Sequence, residues 1–224
     1  MNSERYPALT GNIKDTRLCS IFQRSPVVAV KLDHRVAPYE SGFANQSNSN
    51  TEKYLTMSNT PIFRVLLQKE QLVFSSAHFI TFAGDICECV HGHNYGVRAE
   101  VEGQLDENRY VIDFIAFRNS LAELVKQLDH HMLLPTKHAM IQVETQDDEV
   151  TVRFRKKRWV FPREDCMLLP IVNTTAEEIA WWLATQLRDK LFPEIGPRLS
   201  MLEIGIDENH GQWGYCRLPW IEHK

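Results

Sequence analysis

Long apolar runs are missing from this chain of 224 residues: no stretch approaches the roughly 18–20 consecutive apolar residues that a membrane-spanning helix needs. The first thirty residues also lack the compact apolar segment of a secretory signal, because the best candidate, Val27–Val30, is too short. A cytoplasmic location is expected. A positive surplus is missing as well: Lys and Arg total 25 against 29 Asp and Glu, a formal net charge of −4. That balance argues against nucleic-acid binding, which relies on a basic excess, yet leaves room for an anionic small molecule held by a few local cations. Paired cysteines are absent too. The five cysteines, Cys19, Cys87, Cys89, Cys166 and Cys216, are odd in number and irregular in spacing, which points to reduced thiols rather than a disulfide framework. What remains is an ordinary globular composition, 43% hydrophobic and 24% charged, in a chain long enough for one sizeable core.

Residues 41–53, SGFANQSNSNTEK, are polar, poor in β-branched and aromatic side chains and without period. Residues 1–60 are therefore expected to be a disordered extension. Met57 opens MSNTPIFRVLL, which resembles a fresh N-terminus, so part of this extension is expected to be absent from the working protein. Order is expected from about Ile62, giving one domain over 61–224. Phe63–Leu67 and Gln71–Phe79 read as strands. In His91–Gly103 the alternation puts His91, His93, Tyr95, Val97, Ala99 and Val101 on one face. A helix follows with Asp113 as N-cap and Phe114, Phe117, Leu121, Leu124 and Leu128 as its buried stripe. Residues 141–161 read as extra strands joined by charged turns, an inserted β-hairpin. A second helix starts at Thr175, with Glu178 completing a capping box, buries Ile179, Trp182, Leu183 and Leu187, and stops at Pro193. Leu199–Asp207 and Gln212–Leu218 close the chain as a hairpin. Hairpin strands with two inserted helices give an α+β class.

The chemistry centres on His91-Gly92-His93. Residues two apart on a strand point the same way, so both imidazoles can converge on one point, and Gly92 permits close backbone approach. His78, on the preceding strand, can complete a set of three. Three histidines leave zinc a fourth position for water or substrate, the arrangement of a catalytic site. The plainer reading is ordinary surface or core histidines. A rival is a structural zinc on Cys87, Cys89, His91 and His93, but six residues of extended chain span roughly 20 Å, too far for one metal without a sharp bend. Cys87 lies close enough to act as an acid or base if zinc acidifies its thiol; otherwise it is a small buried hydrophobe. Asp129 beside His130 can orient the ring as a proton relay, against the simpler reading of a histidine at a helix C-terminus. Glu208, in a hairpin turn, is either a solvated acid or an acceptor for the paired N–H donors of a flat heterocycle.

Along the chain stand FSSAHF with His78, CECVHGHNYG with His91 and His93, VIDF at 111–114, LDHH at 128–131, TTAEEIA at 174–180 and IDENHGQWGYC at 206–216. In this order they resemble the markers of the 6-pyruvoyltetrahydropterin synthase / 6-carboxytetrahydropterin synthase family, over about Phe74 to Leu218. The resemblance implies the tunnelling fold, an antiparallel four-stranded sheet with two helices on one face, assembled as a homohexamer from two trimers with active sites at subunit interfaces. It implies Zn2+ on His78, His91 and His93, Cys87 as thiol acid/base, Asp129 and His130 as relay, and Glu208 as anchor of the pterin ring. The implied substrate is 7,8-dihydroneopterin triphosphate. The chain departs from the pattern in an insertion at about 137–172 and in Asn173, where the family carries Pro or Ser. Within the insertion, the basic and aromatic stretch Arg153–Phe161 reads as a solvated hairpin that could meet the triphosphate or another subunit.

The spacing Cys87-x-x-x-His91-Gly92-His93 resembles the queuosine-pathway members, since the pyruvoyl enzymes have a wider gap. The implied reaction is a zinc-dependent lyase step giving 6-carboxy-5,6,7,8-tetrahydropterin, acetaldehyde and triphosphate. Glu88-x-x-His91-Gly92-His93 resembles a third subgroup that releases 6-hydroxymethyl-7,8-dihydropterin for folate synthesis. Glu88 thus joins Glu208 as a substrate-contacting candidate, and both activities in one chain are an open expectation. Strand alternation turns Glu88 away from Cys87, so an idle exposed acid is the other reading. Outside catalysis stand an inactive zinc-binding hexameric module and a carrier with incidental histidines. Retention of Cys87, Asp129, His130 and Glu208 together speaks against the first, and metal content tests the second.

Overall fold

Sixteen residues of apolar and polar alternation make β1, Phe63–His78, the spine of the fold. In the computed structural model, which describes residues 61–84 and 86–221, β1 lies antiparallel to β4, His91–Gly103. β4 pairs with β10, Leu199–Asp207, and β10 with β11, Trp213–Pro219, both antiparallel. On the other side of β1 lie β5, Met132–Pro135, and then β9, Cys166–Leu169, both parallel to their neighbours. The sheet is therefore six-stranded and mixed, in the order β11-β10-β4-β1-β5-β9. Sequence reading expected four antiparallel strands; β5 and β9 are runs of four residues, too short for an alternation to declare itself.

Helix α1, Phe114–Leu128, starts where expected, with Asp113 Oδ1 accepting the Ile115 and Ala116 N–H groups at 2.7 and 2.9 Å. Phe117, Leu121, Leu124, Val125 and Leu128 are buried, whereas Phe114 at the first helical position stays 65% exposed. Helix α2, Ala176–Ile195, is capped by Thr175 Oγ1, which accepts the Glu178 N–H at 3.4 Å. The Glu178 carboxylate turns to the Val172 N–H instead, so the expected box closes in one direction only. Nor does Pro193 end the helix. It removes a single hydrogen bond in the last turn, and Gly196, at φ +64°, makes the stop. The apolar sides of both helices share one core with Phe74, Tyr95, Val97, Ala99, Leu202 and Ile204 of the sheet.

Between β5 and β9 the chain makes β6, Gln142–Gln146, β7, Glu149–Phe154, and β8, Lys157–Pro162, an antiparallel three-stranded sheet. That is one strand more than the expected hairpin. The inserted unit is also narrower than 137–172, because Cys166–Leu169 belongs to the main sheet. Val150, Val152 and Phe154 pack into a second apolar cluster with Phe79, Cys87, Met132, Leu134 and Cys166. Trp159 stacks on Phe79, ring centroids 4.9 Å apart. A short hairpin, β2 at Thr81–Phe82 and β3 at Ile86–Cys87, leads from β1 toward the histidine pair. Among the described residues no helix is long and apolar enough to cross a membrane. The expectations for residues 1–60, a start at Met57 included, lie outside the described residues.

Candidate metal centre

Strand period and register bring the imidazoles together. His91 and His93 project from one face of β4, and pairing sets His78 opposite His91 and Ser76 opposite His93. A Cβ on Gly92 would lie 3.0 Å from Ser76 O, so glycine lets β1 and β4 approach here. The ligand nitrogens of His78, His91 and His93 all fall within 4.8 Å of one another. Burial lowers the pKa of His78 to about 4, which keeps the ring neutral and its lone pair available. Thr174 O lies 2.8 Å from His78 Nδ1, and Cys89 O lies 2.9 Å from His91 Nδ1. A carbonyl only accepts, so each Nδ1–H donates to it and, in the neutral rings, the lone pairs sit on Nε2. Those two Nε2 atoms face each other at 3.1 Å. Two opposed lone pairs are unfavourable unless a proton or cation lies between them. Nitrogens about 2.0–2.1 Å from a tetrahedral zinc stand about 3.3–3.4 Å apart, so donor set and spacing fit a metal. Among the described residues no cysteine joins this group, and the rival four-ligand cluster does not form.

Tyr95 forms the floor of the site. Its ring lies 5.7 Å from His78 and 5.5 Å from His93 and stacks on Phe74 at 4.6 Å. Burial pushes its phenol pKa up, and its hydroxyl has no hydrogen-bond partner among the described residues. Glu208 Oε1 stands 3.3 Å from His78 Nε2 and 3.9 Å from His93 Nε2. Partial burial raises the Glu208 carboxyl above its usual range, with His93 and His91 acting in the opposite direction. Together with Thr175, Gln212 and Trp213 it lines a cavity of about 280 Å³. On the His91 side, Glu88 Oε2 lies 3.9 Å from His91 Nε2.

Cys87 is placed differently from its neighbour. Its side chain is buried in the cluster with Phe79, Met132 and Cys166, and that burial raises the thiol pKa, opposed by nearby Lys157. Alternation holds, but the residue turned to the histidines is Glu88. Asp129 ends α1, and its Oδ2 pairs with His130 Nδ1 at 2.9 Å. The Ser75 N–H donates to Asp129 Oδ1 at 2.8 Å and holds this carboxyl below its usual range, with His130 adding to the effect. His130 has φ +59° and an 82% exposed side chain, backbone strain of the kind that collects at working sites. His130 borders a cavity of about 680 Å³ together with Ser75, His93, Asn94, Phe161 and Asp165. Asn94 sits on the face of β4 opposite to His91 and His93. Of the three imidazoles, His93 shares this cavity with His130.

Sequence reasoning missed the carbonyls of Thr174 and Cys89, because any residue type supplies a carbonyl. It placed Tyr95 on the histidine face without a role. Asn173, flagged only as a departure, hydrogen-bonds the Thr81 backbone in both directions, accepting from its N–H at 3.2 Å and donating to its carbonyl at 2.9 Å.

Residues 67–218 match the family model described as 6-pyruvoyl tetrahydropterin synthase. A Methanocaldococcus jannaschii protein provisionally named 6-carboxy-5,6,7,8-tetrahydropterin synthase is 34% identical over 154 residues, 68% of this chain and 93% of that protein. A Pyrococcus horikoshii protein of the same provisional name is 31% identical over 61% of this chain and 80% of its own. Among solved structures, a Plasmodium vivax 6-pyruvoyltetrahydropterin synthase, with a catalytic glutamate replaced by alanine, superposes at TM-score 0.67 and 28% identity, covering 71% of this chain and 99% of that one. The Plasmodium falciparum 6-pyruvoyl tetrahydropterin synthase gives 0.65 at 28% identity, covering 70% and 98%. With 93% of the Methanocaldococcus jannaschii protein and 99% of the Plasmodium vivax chain covered, and residues 67–218 matching the family model, the chain belongs to the 6-pyruvoyl tetrahydropterin synthase family.

Proposed function

We propose that the chain is a zinc-dependent lyase that converts 7,8-dihydroneopterin triphosphate and water into 6-carboxy-5,6,7,8-tetrahydropterin, acetaldehyde and triphosphate, a step toward queuosine. The observation that carries this reading is the convergence of three histidine ligand atoms within 4.8 Å, flanked by Glu208. The names of the archaeal relatives support the product. His78, His91 and His93 would hold zinc; when bound, it supplies Lewis acidity that lowers the pKa of substrate hydroxyl groups. Glu208 anchors the pterin by accepting paired N–H donors from its ring. Thr174 and Cys89 orient two of the imidazoles through their carbonyls. Cys87 moves protons on the side chain of the substrate once its segment turns the thiol out of the apolar cluster, and the Asp129–His130 pair of a second copy completes the relay. A homohexamer with shared sites, in the cytoplasm, completes this reading.

A second reading is favoured by one observation: Glu88, not Cys87, faces the imidazoles. A catalytic glutamate in the Plasmodium vivax relative agrees with it. Glu88 as the base gives carbon–carbon cleavage to 6-hydroxymethyl-7,8-dihydropterin, and one chain then carries two proton-handling groups with two products. Mass analysis of products after incubation with 7,8-dihydroneopterin triphosphate, alongside metal analysis, tests both readings. About one zinc per chain and one or both of these products are expected. A folded protein without zinc, or without turnover, would falsify the proposal.

A further inference from the structure

The insertion between β5 and β9 holds the hairpin that leads to both proton-handling candidates, through Lys157 of its sheet and His138 of the segment before it. Lys157 Nζ donates to Cys87 O at 2.6 Å and to Glu88 O at 3.2 Å. His138 Nε2 lies 2.8 Å from Thr81 Oγ1, and Thr81 is the β2 partner of Cys87 across the hairpin. His138 Nδ1 accepts the Met140 and Ile141 N–H groups at 3.0 Å, so Nε2 in the neutral ring carries the proton and donates to Thr81. Below the hairpin, Val150, Val152 and Phe154 of the insertion pack in the cluster that takes up the Cys87 side chain. Trp159 closes over Phe79 beside them.

We infer that Lys157 is a positioning residue which, by gripping successive carbonyls at Cys87 and Glu88, keeps the Cys87 thiol in the insertion's apolar cluster and the Glu88 carboxylate toward His91, and so sets the ratio of the two products. The inference rests on the proposed roles of Cys87 and Glu88. Its geometry is specific: an ammonium donates in several directions, so one side chain satisfies two neighbouring carbonyls. A hairpin with two paired positions has little strength of its own and takes its conformation from such outside contacts. Loosening the grip frees the segment to rotate and presents Cys87 in place of Glu88.

The test uses the full chain loaded with zinc, Lys157→Met to remove both bonds while keeping the stem, and Lys157→Arg to restore a donor. Alkylation by a maleimide, mapped to single cysteines by peptide mass, reads the grip without reference to turnover. Lys157→Met is expected to speed Cys87 labelling about tenfold, as for a local opening, while Cys166 in the same cluster keeps its rate. The yield of the Cys87-dependent 6-carboxy product should rise relative to the 6-hydroxymethyl product, with KM near that of the parent because Glu208 still anchors the ring. Lys157→Arg should restore both the labelling rate and the ratio. Unchanged Cys87 labelling in Lys157→Met overturns the inference, and so does equal acceleration at Cys87 and Cys166, which would mean general loosening. Absence of turnover in the parent protein would sink the proposed function and leave the labelling result to decide the grip alone.

Discussion

Cys87 and Glu88 are neighbours in sequence with opposite surroundings. One is sealed among Phe79, Met132 and Cys166, and the other reaches to 3.9 Å from His91. That contrast makes their variants separable. Cys87→Ala should suppress the 6-carboxy product by about 10²-fold or more while the 6-hydroxymethyl product persists, and Glu88→Gln should do the reverse, the usual scale for a lost acid or base. Both should keep their zinc. Product analysis of the pair checks this, and equal loss of both products in either variant would assign all proton handling to one group. His91→Ala should lose metal and turnover together, read by metal content in folded protein. The imidazoles were legible in the sequence because a two-residue period on a strand leaves two rings no choice of side. The sense of the Cys87–Glu88 alternation was legible too. Which of the two faced the site was not, because that is decided by an apolar cluster that gathers Phe79, Met132, Cys166 and the inserted strands from far apart in the sequence.

At the scale of elements, end signals were read well where a side chain made them. Asp113 caps α1 through two N–H groups. Asp113→Ala should cost about 1 kcal/mol and lower the melting temperature by roughly 2–4 °C without touching metal content, measurable by thermal unfolding. Pro193 was misread as a stop because the positive φ of Gly196, three positions later, is what ends α2. Gly92 binds its element to the site more directly. Gly92→Ala places a Cβ 3.0 Å from Ser76 O and must part β1 from β4 where His78 meets His91. Zinc affinity is expected to fall about tenfold or more, as for other disturbed supports of a metal site, while far-ultraviolet circular dichroism is retained. Tenfold tighter or equal binding would show that the imidazole spacing does not depend on this approach.

For the molecule as a whole, the α+β class and the closing hairpin of β10 and β11 were legible in the sequence, whereas the order of the strands and the sheet's parallel flank were not. Assembly is the next scale. If the relay of one copy serves the histidines of another, co-expression of His91→Ala with His130→Ala chains should restore about a quarter of parental activity through mixed sites, though each variant alone is inactive. No recovery in purified mixed oligomers would rule out shared sites. The parallel flank also changes what the insertion is. Antiparallel neighbours can be joined by a tight turn, but β5 and β9 run the same way side by side, and such strands require a crossover of a dozen or more residues. The three-stranded unit is that crossover. It cannot be trimmed to a short loop in the hope of a minimal enzyme, because the edge strand β9 would be stranded with it, and Leu133, Leu134 and Leu169 would lose the neighbours that bury them.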